Sequence, residues 1–302
     1  MDTHSGAVAR GLLSLILVTG VSGSLPAAQP AAVTAEPAPA IPGQNPAGLH
    51  VYLRGGLKTH NVGAHDYPQF LADWSKLLTE HGAVVDGSFH SPTAAELEGV
   101  DVLVLFKGDA GYMTAREKAA LDAFVKRGGG IVSIHDSLCG PDPKNFAVEY
   151  VGGGKRHGET NFTNGDTPVA YVVTDTASPI MKGVGNLTIN DEAFYKMDWA
   201  PSGIHVLATN VIADNATSRR GGGAGQTVPQ IWTYEHTVAG GQPARAFAWM
   251  QGHAYTNFAL PQVRDMLLRG IAWAAKRPVD ELVDYKPPPA PARRGGGDPS
   301  TG

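Results

Sequence analysis

The 302-residue chain is 42% hydrophobic and 17% charged, with a net charge of −4, a balance that suits a globular protein and excludes the basic face a nucleic-acid partner requires. A single cysteine, Cys139, excludes an internal disulfide, a multi-cysteine metal site and a lipid-modified cysteine behind a leader. The length suits one large α/β domain with expendable ends, and the content of Gly, Trp, Tyr and His suits a neutral polar ligand such as a sugar.

Arg10 precedes an apolar run, Gly11 to Val21, followed by small residues and Pro from Ser22 to Ala28, the layout of an export signal. That run is too short for a resident membrane helix. Residues 1–28 therefore read as a signal peptide and the protein as secreted or periplasmic, with no membrane contact beyond a signal that stays uncleaved as an anchor. Residues 29–47 read as an Ala/Pro-rich linker and 287–302 as a disordered Pro/Gly-rich tail. The folded domain is expected over 48–286.

Leu49 to Leu53 reads as a first strand, followed by a Gly55-Gly56 loop that carries His60, His65 and Asp66. Phe70, Leu71, Trp74, Leu77 and Leu78 share one face at helical spacing, predicting a helix over 68–81 that Gly82 stops. A short strand at 83–86 and a short helix opened by Ser91-Pro92-Thr93 come next. Val102 to Leu105 is continuously apolar, as expected of a central strand with helices on both faces. Thr114 and Glu117 form a capping-box pattern that launches a helix through Lys126, and Gly128 is placed to take the left-handed position behind it.

Ile131 to Ile134 is the next central strand, and it ends on His135 and Asp136. Strand, helix, strand, helix, strand in this rhythm predicts a doubly wound, mainly parallel sheet with 101–106 and 131–134 adjacent or nearly so. Ligands of such sheets bind outside the carboxyl ends of the strands. Beyond Cys139 a loop runs to Thr167 and contains Gly152-Gly153-Gly154-Lys155-Arg156-His157, expected to act as a flexible lid. Strands are predicted at 169–173, 205–208, 228–234 and 245–250, a mobile surface loop at Gly221 to Gly223, and a last helix over 261–276.

Besides His135, polar groups at His157, Asp191-Glu192, Gly252-His253 and His60 or His65-Asp66 each follow an apolar strand or a glycine turn. Imidazole and carboxylate from separate strand ends meet the needs of a divalent metal site or an acid/base pair. Cys139 does not sit on the sharp turn of a thiol nucleophile and reads as a partly buried thiol.

These residues, in order, resemble the ThuA-like (trehalose-utilisation) domain family, a relative of the class I glutamine amidotransferase and flavodoxin-like folds. The likeness rests on the His60 to Tyr67 loop, the run from Gly128 to His135, the glycine loop to His157, and Asp191-Glu192. It continues through Pro229-Gln230-Ile231-Trp232, Arg245 with Gly252-His253, and Ile271-Ala272-Trp273, covering about Leu49 to Arg277. The resemblance implies a three-layer α/β/α domain, with the histidines and Glu192 around one pocket and a role in carbohydrate turnover. Two departures are Lys155, where an aromatic residue is expected, and Tyr195, three residues beyond Glu192 with Phe194 between. The amidotransferase relatives use a cysteine where this chain presents His135, so glutaminase activity is not inherited.

The combined reading is an exported carbohydrate-active hydrolase or lyase acting on a keto-sugar or disaccharide. His135, His157, Glu192 and His253 are its expected catalytic residues. His135, His157 and Glu192 would hold a divalent metal, Zn or Mn, and His60, His65, Asp136, Tyr195 and Trp232 would contact a small carbohydrate. The alternative is a non-catalytic sugar-binding module in which Trp232, Trp249, Tyr255 and Tyr195 stack on sugar rings. Neither reading sets an oligomeric state.

Overall fold

The computed structural model describes residues 48–287. The expected signal peptide, the linker and nearly all of the expected tail lie outside the described residues. Among those described, no helix is long and apolar enough to cross a membrane.

Strands β1 (His50–Gly55), β2 (Val84–Ser88), β3 (Val102–Phe106) and β4 (Gly130–Ile134) run parallel in the order β2-β1-β3-β4. Helix α1 (Tyr67–Glu80) makes the first crossover and α2 (Ala115–Lys126) the crossover from β3 to β4. The expected ends of α2 are present in detail. Thr114 and Glu117 form the reciprocal capping box, and Gly128 at φ +92° closes the other end with its N–H on the Val125 carbonyl.

The second half contributes β5 (Cys139–Gly140), α3 (Ala147–Val151), β6 (Gly153–Arg156), β7 (Pro168–Ala170), β8 (Val172–Val173), β9 (Thr188–Asn190) and β10 (Asp198–Trp199). It continues with β11 (Ile204–Val211), α4 (Ala216–Gly221), β12 (Thr227–His236), β13 (Ala244–Trp249) and α5 (Pro261–Ala274). Strand β13 joins the parallel set beside β4, and β12, β11 and β8 extend it antiparallel, giving the order β2-β1-β3-β4-β13-β12-β11-β8. The short turn from β12 to β13 accounts for the change of sense, because a parallel return would need a long crossover.

Side chains alternate across this sheet. Val104, Val132 and Phe247 are paired neighbours and face one side, where Phe106 meets Phe70 of α1 and a Cβ on Gly270 of α5 would touch Phe247. Leu103 and Leu105 face the other side with Leu121 of α2, and the Trp232 Nε1–H donates to the Val151 carbonyl of α3. All five residues of β3 and of β4 are buried, so the continuous apolar runs mark central strands, as expected. The result is a three-layer α/β/α domain.

Four local expectations need correction. Ser91 to Thr93 opens no helix: Thr93 and Glu96 exchange capping hydrogen bonds, but the chain only turns before Gly99 takes φ +75°. The glycine loop is no lid, because a Cβ on Gly153 would lie 2.5 Å from Trp199 and one on Gly154 2.7 Å from Pro143. Gly221 and Gly223 do not form a mobile loop, since both pack against Tyr195. The strand expected at 169–173 splits at buried Tyr171, whose hydroxyl donates to Gln251 and accepts from the Trp249 Nε1–H.

Gly130 opens β4 under the end of α5, where an added Cβ would meet the Ala274 carbonyl oxygen at 2.3 Å. Backbone cannot yield as a side chain can, so Gly130→Ala should destabilise the domain by about 2 kcal/mol or more, read as a lower urea midpoint at unchanged m-value.

Candidate metal centre

The carboxyl ends of β1, β4 and β13 and the segment after β9 converge at one edge of the sheet. His135 leaves β4 at φ +52° and His65, in the loop after β1, sits at φ +49°. Non-glycine residues in this region are uncommon and gather where surroundings over-determine the backbone. The turn folds His135 inward to complete burial. Its Nδ1–H donates to the Met250 carbonyl at 3.0 Å, which leaves Nε2 with the lone pair. That Nε2 lies 3.0 Å from Nε2 of His65, and the Thr59 hydroxyl lies 3.2 Å from Nδ1 of His65 on the far side of the ring.

Glu192 and His253 complete the group. Glu192 Oε2 is 3.5 Å from His135 Nε2 and 3.6 Å from His253 Nδ1, and that Nδ1 is buried without a hydrogen-bond partner. One ligand atom from each of His65, His135, Glu192 and His253 lies within 4.8 Å of every other. Ligands about 2.1 Å from a tetrahedral ion sit about 3.4 Å apart, so the nearer contacts match and the widest must close by more than about 1 Å. An orphaned buried nitrogen, two facing imidazoles and one carboxylate form a donor set that could hold a metal ion.

Protonation favours that state. Burial, and then the His135 ring, pull His65 down to about 2, while burial and His253 hold His135 well below its ordinary value. Both are neutral at physiological pH, the form a metal needs. For His253 burial pulls downward, but Glu192, with Asp191 and Asp136 behind it, outweighs burial and the net shift is upward.

Asp191 builds this geometry. Its buried carboxylate accepts from the backbone N–H groups of Glu192 (2.7 Å), Gly252, His253 (3.1 Å) and Ala254 and from the Asn257 side chain (2.7 Å). Burial pushes its carboxyl up to about 7. Every neighbouring partner is nevertheless a donor, and a protonated oxygen would have nothing to donate to, so the ionised form fits the loop.

The structure thus brings together His135, Glu192 and His253 of the expected residues and adds His65, expected only as a sugar contact. His157 is the correction. It stands half exposed with its Nδ1–H on Asp109 at 2.5 Å, because its own N–H is fixed to the Gly140 carbonyl at the end of β6. Tyr195 and Trp232 are also corrected: both are fully buried, with their polar atoms on backbone carbonyls. His60 is exposed at the rim, its ring 3.9 Å from that of His65. Asp136 lies 3.8 Å from His65 Nδ1 and is partly open to solvent. Cys139 is buried and its thiol is pushed well upward by burial and by Asp136, so it stays a thiol.

Residues 57–274 match the family model described as ThuA, trehalose utilisation. A ThuA-like protein from Bacteroides uniformis superposes with a TM-score of 0.54 at 18% identity, covering 75% of this chain and 91% of that one. One from Parabacteroides merdae gives 0.51 at 19% identity, with 75% and 90% covered. At these identities the likeness is one of fold. No curated protein matches the chain.

Two outcomes follow from the centre's construction. Asp191→Ala strands several buried N–H donors, so it should cost at least about 3 kcal/mol of stability in denaturant titration. Acid should also weaken the metal-free protein. His65 and His135 have folded-state values below the unfolded value near 6.5, so their contribution is whole above about 6.5 and is lost as pH falls below it. Unfolding free energies in chelator should fall by up to about 1.4 kcal/mol per pH unit per histidine, and His65→Ala should flatten the slope.

Proposed function

Because this chain belongs to the ThuA, or trehalose-utilisation, family, we propose that it is an exported carbohydrate-active enzyme, a metal-assisted hydrolase or lyase acting on a keto-sugar or disaccharide. The observation that carries this reading is the convergence of three imidazoles and one carboxylate at the carboxyl edge of the sheet. Export rests on the apolar run from Gly11 to Val21 behind Arg10.

His65, His135, His253 and Glu192 would hold the divalent ion, zinc or manganese, as mixed nitrogen and oxygen donors do. Such an ion, when bound, polarises a sugar oxygen and stabilises the negative charge that develops on it. The chain's other residues handle substrate and protons. His60 at the rim and the partly open Asp136 carboxylate are placed for sugar hydroxyls. His157 donates Nδ1–H to Asp109, an arrangement that leaves Nε2 free to take a proton from a bound sugar.

The binding-module alternative requires aromatic faces open to a sugar. Trp232, Trp249 and Tyr195 are fully buried, which leaves Tyr255, half-buried with its hydroxyl on Asp73 at 2.7 Å, as the one aromatic of that set with a partly open face. Burial of three of the four aromatics counts against the binding module, and the enzyme reading is the one we carry to experiment.

Metal analysis of the purified chain tests it. Wild type should carry about one zinc or manganese per chain and His135→Ala less than about a tenth of that, while His157→Ala should keep the metal and lose turnover of keto-disaccharides. Calorimetry near pH 7 in buffers of different ionisation enthalpy should show proton release that His253→Ala abolishes, because His65 and His135 are already neutral and only His253 is shifted upward. A wild type that takes up no divalent ion, or a His157→Ala protein as metal-poor as His135→Ala, would defeat the assignment.

A further inference from the structure

A second cluster of charge lies at the same sheet edge, on the α2 side. Arg54 of β1 pairs with Leu105 of β3 and shares its face of the sheet. It is only 8% exposed. Its guanidinium donates to the Gly55 carbonyl, its Nε has no partner, and no carboxylate among the described residues forms an ion pair with it. Lys107, just past β3, donates its ammonium to the carbonyls of Gly108 (2.5 Å) and Asp109 (2.9 Å) and forms no close ion pair among the described residues, with the Asp109, Glu117 and Asp136 carboxylates acting on it only at longer range. Charge withdrawn from water without a close counter-ion is costly, and here a buried guanidinium and a half-buried ammonium share only the longer-range charge of Glu117 within their cavity, so a small anion beside them would be stabilised.

Both side chains line one cavity of about 30 Å³ between β3, α2 and the loop after β2. That is room for about two waters, or for a carboxylate head group that replaces them. The remaining wall is largely apolar, with Leu97, Leu103, Met113 and Leu121. Glu117 is the one carboxylate present, and its Oε2 is committed to the Thr114 N–H (2.7 Å) and hydroxyl (2.8 Å). Within the lining, two cations against one anion leave a single positive charge, partly offset by Asp109 and Asp136 beyond it. Ser91, Pro92 and Glu117 also line a groove on the outer surface, which gives a tail a way out.

The topology agrees. The strand order β2-β1-β3-β4 reverses direction between β1 and β3, and open α/β sheets place ligands outside the carboxyl ends of the strands at that reversal. We propose that the Arg54 and Lys107 cavity binds a small monocarboxylate with a short aliphatic tail, its carboxylate on the two cations and its tail leaving past Ser91 and Pro92 into the outer groove. A sugar has the wrong polarity for this wall, and a phosphate would bring more negative charge than the lining neutralises. None of these residues belongs to the histidine cluster, so the site stands or falls apart from the metal-centre reading.

Isothermal titration of the full chain with sodium butyrate, with 1-butanol and sodium phosphate as comparisons, tests the site. Butyrate should bind saturably at one site per chain, and butanol and phosphate should not. Arg54→Met should weaken butyrate at least about tenfold, the loss expected for a charge-assisted contact, while its ligand-free melting temperature holds or rises, since an unpaired buried charge is removed. Lys107→Met, nearer the cavity edge, should weaken butyrate in the same direction and gives a second reading should the first variant fold poorly. Absence of saturable butyrate binding, equal binding of butanol, preferential binding of phosphate, or unchanged affinity in both variants would each overturn the proposal.

Discussion

Much of the histidine centre hangs on one buried carboxylate. Asp191 gathers the N–H groups of its own successor, Glu192, and of the segment Gly252 to Ala254, with the Asn257 amide closing the ring of donors. Two chain segments about 60 residues apart are thereby fixed to one pair of oxygen atoms, and each then presents its next side chain, Glu192 or His253, to the same space. Unmade hydrogen bonds at such a depth are expensive, so the positions of Glu192 and His253 follow from backbone satisfaction. The His65 N–H donates to the His253 carbonyl at 2.9 Å, which carries the same anchoring on to the loop after β1.

The two most buried imidazoles show what that anchoring achieves. His65 and His135 face each other through Nε2, and neither can easily carry charge, because burial removes the water that would stabilise it and each ring is close enough to repel a charge on the other. As a neutral pair they share one hydrogen between their Nε2 atoms. Turning His65 to its other tautomer moves that hydrogen to Nδ1, where the Thr59 hydroxyl is in reach, and frees both Nε2 lone pairs at once. Nothing need be protonated or lost in that change. The fold thus supplies the orientation and charge state of two donors before any ligand arrives, the orienting role that a carbonyl such as Met250 plays for His135.

The elements most legible in the sequence were those decided by local chemistry. Strands β3 and β4 were visible because a short run of consecutive apolar residues between turn signals fits a strand buried on both faces, and α2 because Thr114, Glu117 and Gly128 state both its ends. His135 could be placed because it ends one of those strands. His157 could not, since three preceding glycines look like freedom in sequence, whereas in the fold two of them are small because Trp199 and Pro143 need the room. Strand pairing decides that position, and no local pattern reports it. His65 was visible only as a sugar contact, because nothing in its neighbours announces a left-handed backbone at a non-glycine residue. Trp232 and Tyr195 failed for a related reason: an aromatic that fills a core and one that stacks on a sugar are the same letter.

The sheet edge shows how two unlike environments can sit so near each other. Loops after β3 and β4 are joined by Ser137, whose Oγ accepts from the Lys107 N–H at 3.0 Å and donates to its carbonyl at 3.1 Å, and by the Asp109 N–H on the Asp136 carbonyl at 3.1 Å. This seam separates the groups. Arg54 and Lys107 border the α2-side cavity, while Asp136 stands beside His65 and Asp109 holds His157. Imidazoles and most carboxylates thus gather on one side, and on the other stand Arg54 and Lys107 with Glu117 as the one carboxylate of their cavity. Asp109 and Asp136 still act on Lys107 across the seam, but no close ion pair forms there among the described residues. A seam of backbone and hydroxyl contacts thus fixes the two loops side by side while each keeps its own set of charged groups.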